Sequence, residues 1–226
     1  MRSPAALALV IAAAVAFPGL AAASGSSAMS APPPQMPRLT PEQEAVEYYN
    51  DGVAYRDKAD KYEKESAAEN DAAKKTKLLE KSKGQHESSI KKFQKAVSKD
   101  PKMFQAWGSL GYAFRKTGNY PAALEAYDKA LALEKSYTPA IEYRAEAYLG
   151  LNRLDEVKAA YMALFNTDRT RADELALAMQ KWLEKRQSDP SGVDPATLED
   201  FGKWVAERKQ LASQTSAFTD PNAPRW

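Results

Sequence analysis

Residues 106–133 read AWGSLGYAFRKTGNYPAALEAYDKALAL, and in this stretch large aromatic side chains are interleaved with small ones at helical intervals. Trp107, Leu110, Gly111 and Phe114 fall on one face of a helix predicted from about Phe104 to Lys116, and Ala123, Tyr127 and Ala130 on one face of a second from Pro121 to Leu133. Gly118-Asn119 supplies the turn between them. A glycine set against an alanine lets two backbones approach closely, and Trp107, Phe114 and Tyr127 are left to fill the surrounding space. The most ordered part of the chain is therefore packing, and it holds no nucleophile paired with a base.

The spacing Trp107-x2-Leu110-Gly111-x2-Phe114, then Ala123-x3-Tyr127 and Ala130, resembles the tetratricopeptide repeat (TPR), a helix pair recurring every 34 residues, with Lys135 where that pattern usually has proline. One period forward, Ile141, Arg144, Ala145, Tyr148, Leu154, Val157 and Tyr161 occupy the corresponding places, although Arg144 replaces an apolar residue and Val157 a small one. One period back, Gly84, Ser89, Phe93, Ala96 and Pro101 outline a second helix, but Lys74, Lys75 and Lys77 stand where its first helix belongs. Tyr48, Gly52 and Tyr55 restore the first-helix spacing further upstream. Gly52 precedes Gly84 by 32 residues, against seven between Gly111 and Gly118, so 25 residues are inserted. Residues 56–83 hold 16 charged side chains in 28 positions and neither proline nor glycine, so the insertion stays helical, turning at Asn70-Asp71. It lengthens the first hairpin by roughly 19 Å. Tyr48, Tyr55 and Tyr62 on one arm are expected to face Leu79, Ile90, Phe93 and Val97 on the other, with little packing at the tip.

No alternating strand pattern occurs from Thr40 to about Leu211, so the fold class is all-α, and the resemblance implies a TPR-type helical solenoid with an elongated first helical hairpin and C-terminal capping helices. Thr40-Pro41-Glu42-Gln43 starts the ordered part with a capping box. The expected divisions are an elongated first repeat over 42–101, TPR repeats over 102–169, capping helices over 170–213 and a tail over 214–226. The capping helices share Lys181-Trp182-Leu183 with Arg186 and Lys203-Trp204-Val205 with Arg208. Their tryptophans cover the open end of the stack or, in the sharper alternative, line a partner site.

Residues 1–23 have the features of a signal peptide: basic Met1-Arg2, an apolar run from Ala5 to Phe17 too short to cross a bilayer, the breaker Pro18-Gly19, and small Ala21-Ala22-Ala23. An uncleaved anchor is the alternative. Residues 24–41, rich in proline and serine, form a linker too poor in apolar residues to fold alone. These features predict an exported protein, periplasmic or secreted and bacterial, with no membrane insertion after cleavage. The sequence has no cysteine, so neither a disulfide framework nor a lipidated cysteine is available. A formal net charge of +2 lacks the basic excess that nucleic acid binding demands.

No hydrolase, zinc-protease, phosphate-loop or EF-hand spacing occurs, and the single histidine, His86, is expected in solvent at the start of a helix; no catalytic residue, cofactor or metal is predicted. The TPR resemblance implies a non-enzymatic protein-binding scaffold whose concave groove holds a protein or peptide partner. On this chain that groove would present Tyr49, Val53 and Arg56, then Gln105, Tyr112, Arg115 and Lys116, then Glu142, Tyr143 and Glu146. Repeat packing would fall to Gly52, Tyr55, Trp107, Leu110, Gly111, Phe114, Ala123, Tyr127, Ala130, Tyr148 and Tyr161. A subclass of the family clamps acidic chaperone termini with Lys and Asn. Here the clamp positions hold Tyr49, Val53, Ser109, Pro139 and Tyr143, which does not support that function. The alternative to an adaptor is a structural homo-oligomer, with the charged hairpin as a coiled coil.

Overall fold

The computed structural model describes residues 38–219, with side chains through residue 214. The expected signal peptide, nearly all of the linker and the end of the tail lie outside the described residues. The chain divides into two units, 1–38 and 39–226, and the helices of the described residues belong to the second.

Among the described residues there are eight helices and no strand: α1 (Pro41–Ala68), α2 (Ala72–Lys99), α3 (Phe104–Lys116), α4 (Tyr120–Leu133), α5 (Thr138–Gly150), α6 (Leu154–Thr167), α7 (Arg169–Ser188) and α8 (Pro195–Thr219). None of these helices is long and apolar enough to cross a membrane. The Thr40 side chain accepts from the Gln43 N–H while the Gln43 side chain accepts from Thr40, so the capping box starts α1. The Asp71 side chain accepts from the Lys74 N–H and starts α2. The Asn119 side chain does the same for α4 through Ala122, and Asp168 for α7 through Arg171.

The repeat is visible in the backbone. Gly118, between α3 and α4, has φ +83°, and Asn152, 34 residues on between α5 and α6, has φ +58°. Both turns need the left-handed conformation, which glycine adopts freely and asparagine tolerates. The helix pairs α3/α4 and α5/α6 stack in order on the long pair α1/α2, and α7 packs on both α5 and α6.

Packing within the pairs follows the small residues. A Cβ placed on Gly111 would come within 2.6 Å of the Tyr127 ring, and one on Gly52 within 2.5 Å of the Phe93 ring. Each ring fills the space that a side chain at the glycine would need, and both rings are fully buried. In the third pair Ala145 and Tyr161 occupy the equivalent places and are also fully buried.

The hairpin departs from the expected tyrosine stripe. Its buried positions on α1 are Ala45, Gly52, Ala59 and Ser66, one every seven residues. On α2 the buried Ser82, Ser89 and Ala96 repeat the same interval, joined by His86, Phe93 and Val97. Small residues on both arms let the helices approach closely over their length. Tyr55, expected in the packing, is 37% exposed, and Leu79, expected in the facing stripe, is 47% exposed. Gly84 sits inside α2 rather than at a turn, because the hairpin turns at Glu69–Asp71 instead. At the far end Trp182 is buried with Phe201 of α8, and Trp204 lies between Phe201 and Tyr161. Both tryptophans thus contribute to one core shared by α5 to α8, as a capping role requires. The last helix runs to Thr219, beyond the point where the tail was expected to begin.

Candidate functional site

The odd-numbered helices touch one another in succession, α1 to α3 to α5 to α7, whereas no comparable contact joins α2 to α4 or α4 to α6. The odd helices are therefore the closely spaced inner row, and their shared face is where a site would be built.

That face is occupied by an ordered series of rings and charges. The Tyr112 hydroxyl donates to Asp60 at 2.8 Å, and Lys116 is bonded to Glu63, so α3 is tied to the inserted part of α1. The Arg115 guanidinium lies 5.2 Å from the centroids of both the Tyr112 and Tyr143 rings, which themselves meet edge to face at 5.1 Å. It donates to Glu146 of α5 at 2.6 Å. Arg171 of α7 is bonded to Glu142 and sits 5.6 Å from the Tyr143 centroid. Tyr137, at the start of α5, packs edge to face on Phe104 and lies over Gly108, where a Cβ would meet its ring at 2.6 Å. Burial raises the Tyr137 hydroxyl to about 12.

The carboxylates of this face are not equivalent. Burial alone would raise Glu63, but the hydrogen bond from His86 and the Lys116 ammonium outweigh it and hold the carboxyl near 2. For Glu142, burial dominates and pushes the carboxyl up to about 8 against the pull of Arg171, with Glu146 acting in the same sense as burial. Burial also raises the Tyr112 hydroxyl, and the Asp60 carboxylate adds to it.

The predicted site residues divide into four groups. Tyr112, Arg115, Lys116, Tyr143 and Glu146 converge in one network, half-buried and held by each other. Tyr49 and Val53 lean on the Phe93 core, the Tyr49 ring 5.9 Å from that of Phe93, so they are partly spent on packing. Glu142 is 3% exposed and is closed off by Arg171, which corrects its expected place on an open surface. Gln105 is exposed, and Arg56 pairs with its sequence neighbour Asp57.

His86 is the clearest correction. It is 1% exposed, its ring edge to face with Tyr112 and its Nε2–H donating to ionised Glu63 at 3.3 Å. Its charged and polar sequence neighbours suggested solvent, but it stands seven residues before Phe93 on the buried face of α2. Asp60, Glu63 and Arg171 were missed as well. The first two continue the helical progression of Tyr49, Val53 and Arg56, a pattern readable in the sequence. Nothing local marks Arg171. Asp60, Glu63 and His86 could also offer a cation three ligand atoms within 4.8 Å of one another. The Lys116 ammonium already supplies a positive charge to Glu63 there.

Residues 79–138, from the returning arm of the hairpin to the start of α5, match the family model of the tetratricopeptide repeat. Residues 79–138 carry the tetratricopeptide repeat (TPR). A stretch of 81 residues is 32% identical to human Superkiller complex protein 3, covering 36% of this chain and 5% of that protein. Another of 53 residues is 40% identical to the small glutamine-rich tetratricopeptide repeat-containing protein 2 of Mycosarcoma maydis, covering 24% and 15% respectively. The chain thus spans a small part of the curated relatives that it matches. Among solved structures, the first TPR of Spaghetti (RPAP3), bound to the HSP90 peptide SRMEEVD, is 20% identical with a TM-score of 0.42, over 59% of this chain and 94% of that one. The first TPR domain of human RPAP3 is 19% identical with the same TM-score, over 62% and 98%.

Proposed function

We propose that this TPR chain is an exported, non-catalytic adaptor that holds a partner peptide in a groove along α1, α3, α5 and α7. The TPR repeats support a protein-binding role. The observation that carries the reading is the network on the odd-helix face: its cations Arg115, Lys116 and Arg171 are each bonded to a carboxylate of a neighbouring helix. Such a face is preorganised and close to neutral, so it favours a segment with aromatic or apolar side chains over a strongly acidic one. The RPAP3 domain is solved with an acidic HSP90 peptide. The buried Ser109 and the packed Tyr49 and Val53, at this chain's clamp positions, speak against the same ligand here.

The test is crosslinking capture from native envelope with the wild-type chain and with Tyr143→Ala and Arg56→Ala. Loss of a captured partner in both variants, at an unchanged melting temperature, supports the groove; retention in both removes it. Export is tested by the intact mass of protein recovered outside the cytoplasm, expected to begin between Ala21 and Gly25. Retention of Met1 refutes the signal reading.

A second reading, self-association through the hairpin, is favoured by its charge. α1 carries eight acidic and four basic residues, while α2 carries nine lysines and two glutamates. Two copies could therefore pair unlike arms. Light scattering at several concentrations separates this from a monomeric adaptor.

A further inference from the structure

The contacts of the odd-helix face leave one side of the hairpin unused. There, between its two arms, lies an open cleft of about 540 Å³ lined by Tyr55 of α1 and by Ser88, Lys91, Lys92, Gln94, Lys95 and Ser98 of α2. No carboxylate lines it. Lys92 and Lys95 both reach over the Tyr48 ring, 5.7 and 5.3 Å from its centroid, so two like charges are gathered on one aromatic surface. Lys92 has a counter-ion, Asp51 at 2.7 Å, whereas no ion pair to Lys91 or Lys95 is found among the described residues. Further along the same seam Lys81 lies over Tyr62 at 5.5 Å. Tyr48, Tyr55 and Tyr62, seven residues apart on α1, thus follow a seam that carries lysines of α2, and Tyr55 among them lines the cleft itself.

Three ammonium groups and one carboxylate leave an excess of two positive charges at the cleft. A single carboxylate or chloride cannot balance that excess, but a group with two or more negative charges on neighbouring oxygens can. Lysine binds such oxygens as a point charge on a flexible stem, and the half-open tyrosine ring excludes water from one side of the contact. We propose that this cleft is a binding site for a multiply charged anion of the phosphate class, an oligophosphate or a phosphate ester. The site is separate from the groove, and its failure would leave the peptide-binding reading untouched.

The experiment is calorimetric titration of the full chain with sodium tripolyphosphate in metal-free buffer at low salt. The wild-type chain is compared with the double variant Lys91→Gln/Lys95→Gln and, as a charge-matched control outside the cleft, with Lys74→Gln/Lys75→Gln. Saturable binding that weakens about tenfold or more in the cleft variant, and much less in the control, supports the site. No saturable binding, or equal weakening in the two variants, overturns it, the latter because the anion would then be reading overall charge. Cosedimentation with phosphatidylglycerol vesicles identifies the source of the phosphate. Vesicle binding that is lost in the cleft variant and displaced by tripolyphosphate assigns the site to a lipid headgroup, and tripolyphosphate binding without vesicle binding assigns it to a free anion. Vesicle binding that survives both the cleft variant and excess tripolyphosphate counts against the cleft.

Discussion

In the second repeat the Tyr127 ring lies on Gly111, and in the first hairpin the Phe93 ring lies on Gly52 at almost the same distance. Away from that shared contact the two helix pairs diverge. The second repeat surrounds its glycine with Ala106, Leu110, Ala113, Ala123, Ala126 and Ala130, all buried and apolar. The hairpin continues past its aromatic residue with Ala59, Ser66, Ser82 and Ser89, and then with a buried imidazole tied to Glu63 and, through it, to Lys116. The same close approach of two helices is thus held by apolar contact in one place and by small residues with an ionic bridge to α3 in the other. Apolar burial is insensitive to pH, whereas a bridge built on Glu63 is not.

The largest expected effects test the shared contact. Gly111→Leu and Gly52→Leu should each destabilise the domain by more than about 3 kcal/mol in a thermal or denaturant melt, since each ring is backed by buried neighbours and has no room to shift. The more degenerate pattern around Gly52 suggests a milder effect there, but the structure makes the two equivalent. A Gly52→Leu melt close to wild type would break the comparison. At the other end of the stack, Trp182→Ala should cost about 3 kcal/mol by emptying the core that joins α7 to α8, and the half-buried Trp204→Ala should cost less.

Glu63→Gln comes next, at about 1 to 3 kcal/mol near neutral pH, because it replaces the anionic acceptor shared by Lys116 and His86 with a neutral amide. The Glu63 carboxyl is held near 2 against an ordinary 4.5, so its contribution is complete above pH 4.5 and is lost as the pH falls through about 2. Glu142 has the opposite sign: its carboxyl is raised from 4.5 to about 8, so stability declines as the pH rises through that interval. Melting temperature followed against pH should therefore lose part of its acid limb in Glu63→Gln and part of its decline between about pH 4.5 and 8 in Glu142→Gln. Identical profiles for both variants would show that the two carboxylates are not set apart as described.

The smallest effect is expected at the hairpin tip. Excising residues 66–79 and rejoining Glu65 to Glu80 through a short turn keeps Glu63, Ser82 and His86, and it removes mainly alanines and exposed charges. The shortened chain should melt cooperatively with a smaller loss than any substitution above. Failure to fold would mean that the tip supports the repeats.

Much of this molecule could be read from residue spacing. The aromatic and small positions from Trp107 to Ala130 are set by helical period and by the volume that two close helices leave, both local properties. The capping box at Thr40 and the turn at Asp71 are likewise matters of a few neighbouring residues. The network on the odd-helix face was legible only in part. Tyr112, Arg115 and Tyr143 follow from their positions within the repeat, but Arg171 joins them through stacking of a helix that lies outside the repeat pattern.

His86 and Lys91 show where sequence and tertiary structure divide the work. Sequence alone determined that α2 is a helix, because no proline interrupts its run of helix-compatible residues, and that its seven-residue pattern needs a partner arm. Which polar side chains of that helix are buried was decided by the arm returning against α1 and by α3 closing over it. A histidine among charged neighbours has no intrinsic preference strong enough to place it, so its burial depends on Glu63 and Tyr112 arriving from other helices. Lys91 is left in the open for the same reason: its side of the hairpin receives no helix, and only the assembled fold shows that it shares a cleft with Lys92, Lys95 and Tyr55.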